Sequence, residues 1–233
     1  FHVSSKTIDE NLRENSKLLT SLTVDKVEKI LMSVQKVPDN FANIIEAGTS
    51  SDEEIIRIIN TAVKGNEEII GMAVAFEPNA IKPNTLLHSF YCYNDKGNII
   101  TKDLAKDSLN YHILDWYQIP RQLQKSVWSE PYYDEGISDL IMTTYSVPIY
   151  REVNGNQVFI GVVTADISLD WMHDIFAKIK VYETGYAFLV SRIGTVVTHP
   201  RKELIMNETV FTIAEESKTP ILREVGRNMI RGK

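Results

Sequence analysis

The sequence holds a single cysteine, Cys92, which excludes an internal disulfide and any cysteine-rich zinc site. It contains no run of about 18 consecutive apolar residues, the least that a membrane-spanning helix needs, and no secretory signal pattern opens it. Basic residues number 25 against 31 acidic ones and do not cluster, so the net charge of -6 and the absence of a phosphate-tracking surface exclude nucleic acid as a partner. A small cationic ligand suits that balance better. There is no glycine-rich phosphate loop and no Gly-x-Ser-x-Gly elbow, and His2, His88, His112, His173 and His199 show no metal-ligand spacing. No metal or cofactor is expected.

What is present is ordinary globular material. Hydrophobic residues at 43% and charged ones at 24% rule out a disordered chain, and 233 residues make one elongated domain or two small modules. From Lys6 onward, Ile8, Leu12, Leu19, Leu22, Val27, Ile30, Val34, Phe41 and Ile45 recur at steps of mostly three, four or seven, the signature of one helix face. Unbroken to Ala47, such a helix is about 60 Å long, a spine rather than a packed helix of a compact domain. Pro38 is expected to kink or interrupt it, and two ordinary helices meeting there are the alternative. A helix starting with the first residues is also what is expected downstream of a transmembrane anchor.

Ser51-Asp52-Glu53-Glu54 is a capping-type start for a second helix with Ile55, Ile58, Ile59, Ala62 and Val63 on its apolar face and Gly65 at its end. The period then changes. Strands are predicted over Ile69–Phe76, Leu87–Tyr93 and Asn98–Lys102, followed by an aromatic-rich helical segment over Asp107–Val127. Two long strands, Leu140–Tyr150 and Gln157–Ser168, flank Asn154-Gly155-Asn156 as a hairpin, and a short helix follows over Leu169–Ile179. Tyr186–Ser191, a turn through Gly194, and Thr195–His199 repeat the strand, glycine turn, strand unit of Phe90–Ile100. After Pro200 no closing hairpin follows. Asn207-Glu208-Thr209 is a formal glycosylation triplet of a kind that arises often by chance.

Several stretches together resemble the double Cache family of extracytoplasmic sensors. They are Asp115-Trp116-Tyr117, Trp128 to Asp134, Ser146 to Tyr150, Gly161 to Ser168, Gly185 to Val190 with Gly194, and His199-Pro200. The resemblance implies an α+β chain: a long N-terminal helix and two tandem PAS-like antiparallel sheet modules, the second incomplete. Its segments would be a spine at 1–50, a membrane-distal ligand-binding module at 51–180 and the start of a membrane-proximal module at 181–233. It further implies the periplasmic or extracellular part of a membrane receptor, of histidine kinase or chemoreceptor type, paired as a homodimer through the N-terminal helix.

Carried over by position, Trp116, Tyr117, Tyr132, Asp134 and Asp166 would line the ligand pocket. Members that bind α-amino acids place an arginine two residues before the Trp, whereas Leu114 stands there in this sequence. Tyr111 lies closer to the Trp than the amino-acid pattern expects. The groups that remain are acidic and aromatic, a set that favours an amine, because carboxylates accept ammonium N–H bonds and ring faces attract cations. An acid ligand would need a cation from elsewhere, with Arg121 and Lys125 as candidates.

Each residue has a plainer reading. Trp116 and Tyr117 can be core filler, and Asp134-Glu135-Gly136 can be turn chemistry. Asp166 sits inside an apolar strand, where an ionised carboxylate is costly unless paired, though it can instead satisfy a local backbone donor or mark the start of the next helix. A two-carboxylate hydrolase built on Asp134 and Asp166, and a purely structural dimerisation ectodomain, stand as alternatives to a sensor.

Overall fold

The computed structural model describes residues 2–48, 51–106, 110–134, 140–181 and 185–232. Helix α1 (His2–Ala47) keeps Pro38 in its interior, so the expected interruption does not occur. The proline removes one N–H from the helix ladder, but Val34, Phe41, Ala42 and Ile45 are all buried around that turn, and their packing offsets the loss. The chain forms two compact units, one of residues 33–169 and one of residues 1–32 with 170–233.

In the 33–169 unit, helix α2 (Asp52–Gly65) begins at Ser51, whose hydroxyl accepts the Glu54 N–H. It is followed by β1 (Gly71–Phe76), β2 (Ser89–Asp95) and β3 (Asn98–Lys102). A 3-10 turn at Tyr111–Ile113 leads into α3 (Asp115–Leu123), then β4 (Val127–Trp128), β5 (Tyr132–Tyr133), β6 (Ile141–Val153) and β7 (Asn156–Ser168). One antiparallel sheet results, in the order β3-β2-β1-β7-β6-β4, with β5 also on β6. The long hairpin turns on Asn154 and Gly155, both at positive φ (52° and 78°), the conformation that a two-residue turn between twisted strands requires.

Side chains alternate across a strand, so the sheet has two different faces. On one, Met72, Val74, Cys92, Val163, Ala165 and Ile167 are buried, and α2 adds Ile55, Ile59 and Val63. The Cys92 thiol is within reach of the Thr101 hydroxyl (3.3 Å), which bonds the Asn60 amide of α2, and the Tyr145 hydroxyl donates to Asp39 of α1 (3.4 Å). The helices therefore cover this face. The other carries Gly71, Ala73, Ala75, Tyr91, Thr144, Ser146, Thr164 and Asp166, placed together by the registers Gly71↔Asp166, Ala73↔Tyr91 and Thr144↔Asp166.

In the other unit, α4 (Asp170–Ala177) is followed by two short ribbons, β8 (Lys180–Val181) with β9 (Gly185–Tyr186) and β10 (Leu189–Val190) with β11 (Val196–Thr198). The glycine turn between β10 and β11 runs through Gly194 at φ 92°. After a 3-10 turn at Lys202–Leu204 come α5 (Val210–Glu216), which has a capping box between Thr209 and Thr212, and α6 (Pro220–Ile230). Among the described residues no long hairpin follows β11.

Candidate ligand site of the sheet

Asp166 lies on β7 and is only 6% exposed. The Thr144 hydroxyl opposite donates to its Oδ1 at 2.7 Å, and the Tyr132 hydroxyl is 2.7 Å from that same Thr144 oxygen. Tyr91 hydrogen-bonds the Asp166 carboxyl from β2. Burial pushes the Asp166 carboxyl up to about 7; the Thr144 and Tyr91 hydrogen bonds act against that rise and the Asp134 charge adds to it. Burial likewise raises the Tyr91 and Tyr132 hydroxyls, with the Asp166 charge adding to both. No cation is among the groups acting on Asp166 among the described residues.

Room for Tyr91 comes from a missing side chain. Gly71 stands beside Asp166 in the register, and a Cβ there would lie 2.5 Å from the Tyr91 hydroxyl oxygen. Only glycine lets that ring lie across β1 and reach the carboxyl. Ala73 continues the low floor, and Trp116, half-buried on α3, packs against Ala73, Tyr91 and Leu104. Tyr91 stacks on Tyr93 (5.5 Å between centroids), and Lys102 lies 5.3 Å from the Tyr93 ring centre.

Of the residues expected to line the pocket, Tyr132, Asp134 and Asp166 come together, and Trp116 reaches the same group through Tyr91. The Asp134 backbone is held by Leu140, and the proposed turn partners Glu135 and Gly136 lie outside the described residues. The Tyr117 hydroxyl goes elsewhere: the residue is fully buried in the core and donates to Glu77 Oε1 at 2.7 Å, while its ring stays edge-on to Trp116 at 6.0 Å between centroids. Glu77 is six residues beyond Gly71, about 20 Å along an extended chain. Arg121, a candidate cation for an acid ligand, is engaged there with Glu77 Oε2 (3.1 Å) and the Phe159 ring (5.6 Å). Lys125 is exposed. Tyr111 is also core: its hydroxyl donates to the Phe76 carbonyl and accepts the His88 N–H, each at 2.8 Å.

Three contributors escaped the sequence reading: Gly71, Tyr91 and Thr144. Counting back from the Asn154-Gly155 turn puts Thr143 opposite Asp166, but a bulge between Ile149 and Tyr150 shifts the partner to Thr144. No cluster of three or more His, Cys, Asp or Glu placed to hold a metal occurs among the described residues. Nor is any described helix long and apolar enough to cross a membrane.

An antiparallel sheet backed on one face by a long helix and overlaid on the other by an aromatic segment above a buried acid is the architecture of a ligand-sensing receptor module. The chain belongs to the family of the methyl-accepting chemotaxis protein-like first PDC sensor domain, whose model matches residues 55–174. It is 33% identical over 107 residues to the chemotaxis protein McpC of Bacillus subtilis, a match covering 44% of this chain and 16% of McpC; the chain thus spans about a sixth of that relative. Among solved structures it resembles the extracellular domain of the putative histidine kinase mmHK1S-Z3, with a TM-score of 0.74, 25% identity, and coverage of 93% of this chain and 82% of that one. It also shares its fold with the ligand-binding domain of the Pseudomonas aeruginosa PAO1 chemoreceptor PctC, solved in complex with GABA (TM-score 0.63, 18% identity, 88% and 80% coverage). The resemblance to double Cache sensors is borne out, as is the fold class.

Proposed function

We propose that this chain is the periplasmic or extracellular sensor of a transmembrane receptor and binds, without turnover, a small ligand carrying a primary ammonium group. One observation carries the reading: a buried carboxyl, Asp166, bonded by Thr144 and Tyr91, has no cation acting on it among the described residues and lies beneath aromatic rings. An ammonium guest would supply the missing charge and would find acceptors in Asp166, Thr144 and Tyr132, ring faces in Tyr91 and Trp116, and a second acid in Asp134. A ligand held only by a carboxylate would meet two acids instead, with Leu114 where the amino-acid pattern has arginine and Arg121 already engaged by Glu77. Signal then follows from the ligand binding one arrangement of the overlying segment better than another, within a dimer paired through α1.

The reading is tested by thermal shift and calorimetry with ethylamine, putrescine, GABA and acetate. A guest at 100 times its dissociation constant adds about 2.7 kcal/mol of stability, so amine-bearing probes are expected to raise the melting temperature and acetate is not. Because Asp166 is partly protonated near neutrality, amine binding is expected to release a proton between pH 5 and 7. Asp166→Asn should abolish both effects. Undiminished amine binding in that variant, or binding of acetate alone, would overturn the assignment.

A further inference from the structure

The 170–233 segment holds a cavity of about 170 Å³, lined by His173, Phe176 and Ile179 from α4 and the turn after it, Ala187 after β9, and His199 and Pro200 after β11. At about 30 Å³ for each water of the liquid, it has room for on the order of six heavy atoms. His199 is 4% exposed, and the rings of Tyr186 and Phe188 hold it edge-on at 5.0 and 5.7 Å. Its Nδ1 accepts the backbone N–H of Arg201 at 2.9 Å, which fixes the neutral tautomer with the proton on Nε2. That Nε2–H has no hydrogen-bond partner among the described residues. Burial and, after it, the Arg201 charge keep the ring neutral.

We propose that this cavity is a second binding site, for a small uncharged molecule with an apolar body and one acceptor oxygen, such as a short-chain amide or ketone. The unpartnered Nε2–H would donate to that oxygen, and Phe176, Ile179, Ala187 and Pro200 would enclose the carbon chain. Charge is disfavoured in either sense. An anion would lose its hydration against a neutral donor, and protonating the ring to match it would put a second N–H against the Arg201 N–H. A cation would meet a donor, with no acid among the described residues that line the cavity.

The test is titration of this chain with propionamide and butanone, with propionate and propylamine as charged controls, read by calorimetry and by amide NMR shifts around His199. Saturable shifts are expected for the two neutral probes, and at least tenfold weaker binding for the charged ones. His199→Asn keeps an acceptor where Nδ1 was but loses the distal donor, whereas His199→Gln restores a donor near Nε2. The Asn variant should melt as the parent does yet bind propionamide at least tenfold more weakly, with Gln recovering most of the loss. Should the Asn variant fail to fold, Ala187→Leu fills the cavity while leaving the His199–Arg201 bond in place, and the same loss is expected. Equal binding by parent and either blocked variant, no saturable shift with the neutral probes, or preference for propionate would overturn the proposal. Asp166→Asn should leave this binding unchanged, so its outcome stands apart from that of the sheet site.

Discussion

The two faces of the seven-stranded sheet are built by the same strands and are both withdrawn from water, yet they differ in the side chains they carry. Beneath α1 and α2 the alternating residues are Met72, Val74, Phe76, Val163 and Ile167, whose side chains fill the space. One residue out of phase, the same strands present Gly71, Ala73, Thr164 and Asp166, which are small or polar. Burial alone therefore does not separate core from site here. What separates them is side-chain size and hydrogen-bonding capacity at matched depth: the first face carries large apolar side chains that hold the fold, the second sets small and polar residues around a buried carboxyl.

The largest effect that would sharpen this contrast is on the packed side. Ile59, fully buried on α2, makes contacts with no polar role, so Ile59→Ala should lower stability by about 2–5 kcal/mol in urea unfolding while amine affinity of the folded fraction stays within twofold. A change in ligand preference would break the division of labour. On the other side the acid itself is the lever. With Asp166 held near 7 in the folded protein against an ordinary value of 3.8, the folded state keeps a proton that the unfolded chain has shed between those pH values. The unfolded state then binds fewer protons, so the contribution of this group to stability is full below about pH 4 and falls away as pH rises through 7, by up to about 4 kcal/mol at roughly 1.4 kcal/mol for each unit. Urea midpoints from pH 4 to 8 should show that decline in the parent and lose it in Asp166→Asn. A parallel pair of curves would mean that Asp166 is ionised without cost. The smallest effect concerns Tyr117: Tyr117→Phe removes one hydrogen bond to Glu77, costs about 1–2 kcal/mol of stability, and should leave amine affinity within twofold. A tenfold loss would move Tyr117 from the core into the site.

Much of the fold was legible because its signals are local. The period of α1, the Ser51 cap of α2 and the Asn154-Gly155 turn each depend on a few neighbouring residues. The buried acid was legible too, since Asp166 interrupts an apolar strand. The rest of its surroundings was not. Thr144 faces it because of a bulge between Ile149 and Tyr150, which nothing near the turn announces, and Tyr91 reaches it across β1 from a strand distant in sequence. Strands β4 and β5 pair through two residues each, too few to leave a period to read. Tyr117 was misleading for another reason: its ring stays against Trp116, but its hydroxyl reaches Glu77 and not the buried acid, a partner 40 residues away that no local pattern announces.

The gap at Gly71 gives the site an unusual vulnerability. A single added methyl group there, chemically inert and invisible to any count of charges or donors, would evict a tyrosine from beneath a prospective guest. The position of the Tyr91 ring is thus written partly in an atom that the protein does not make.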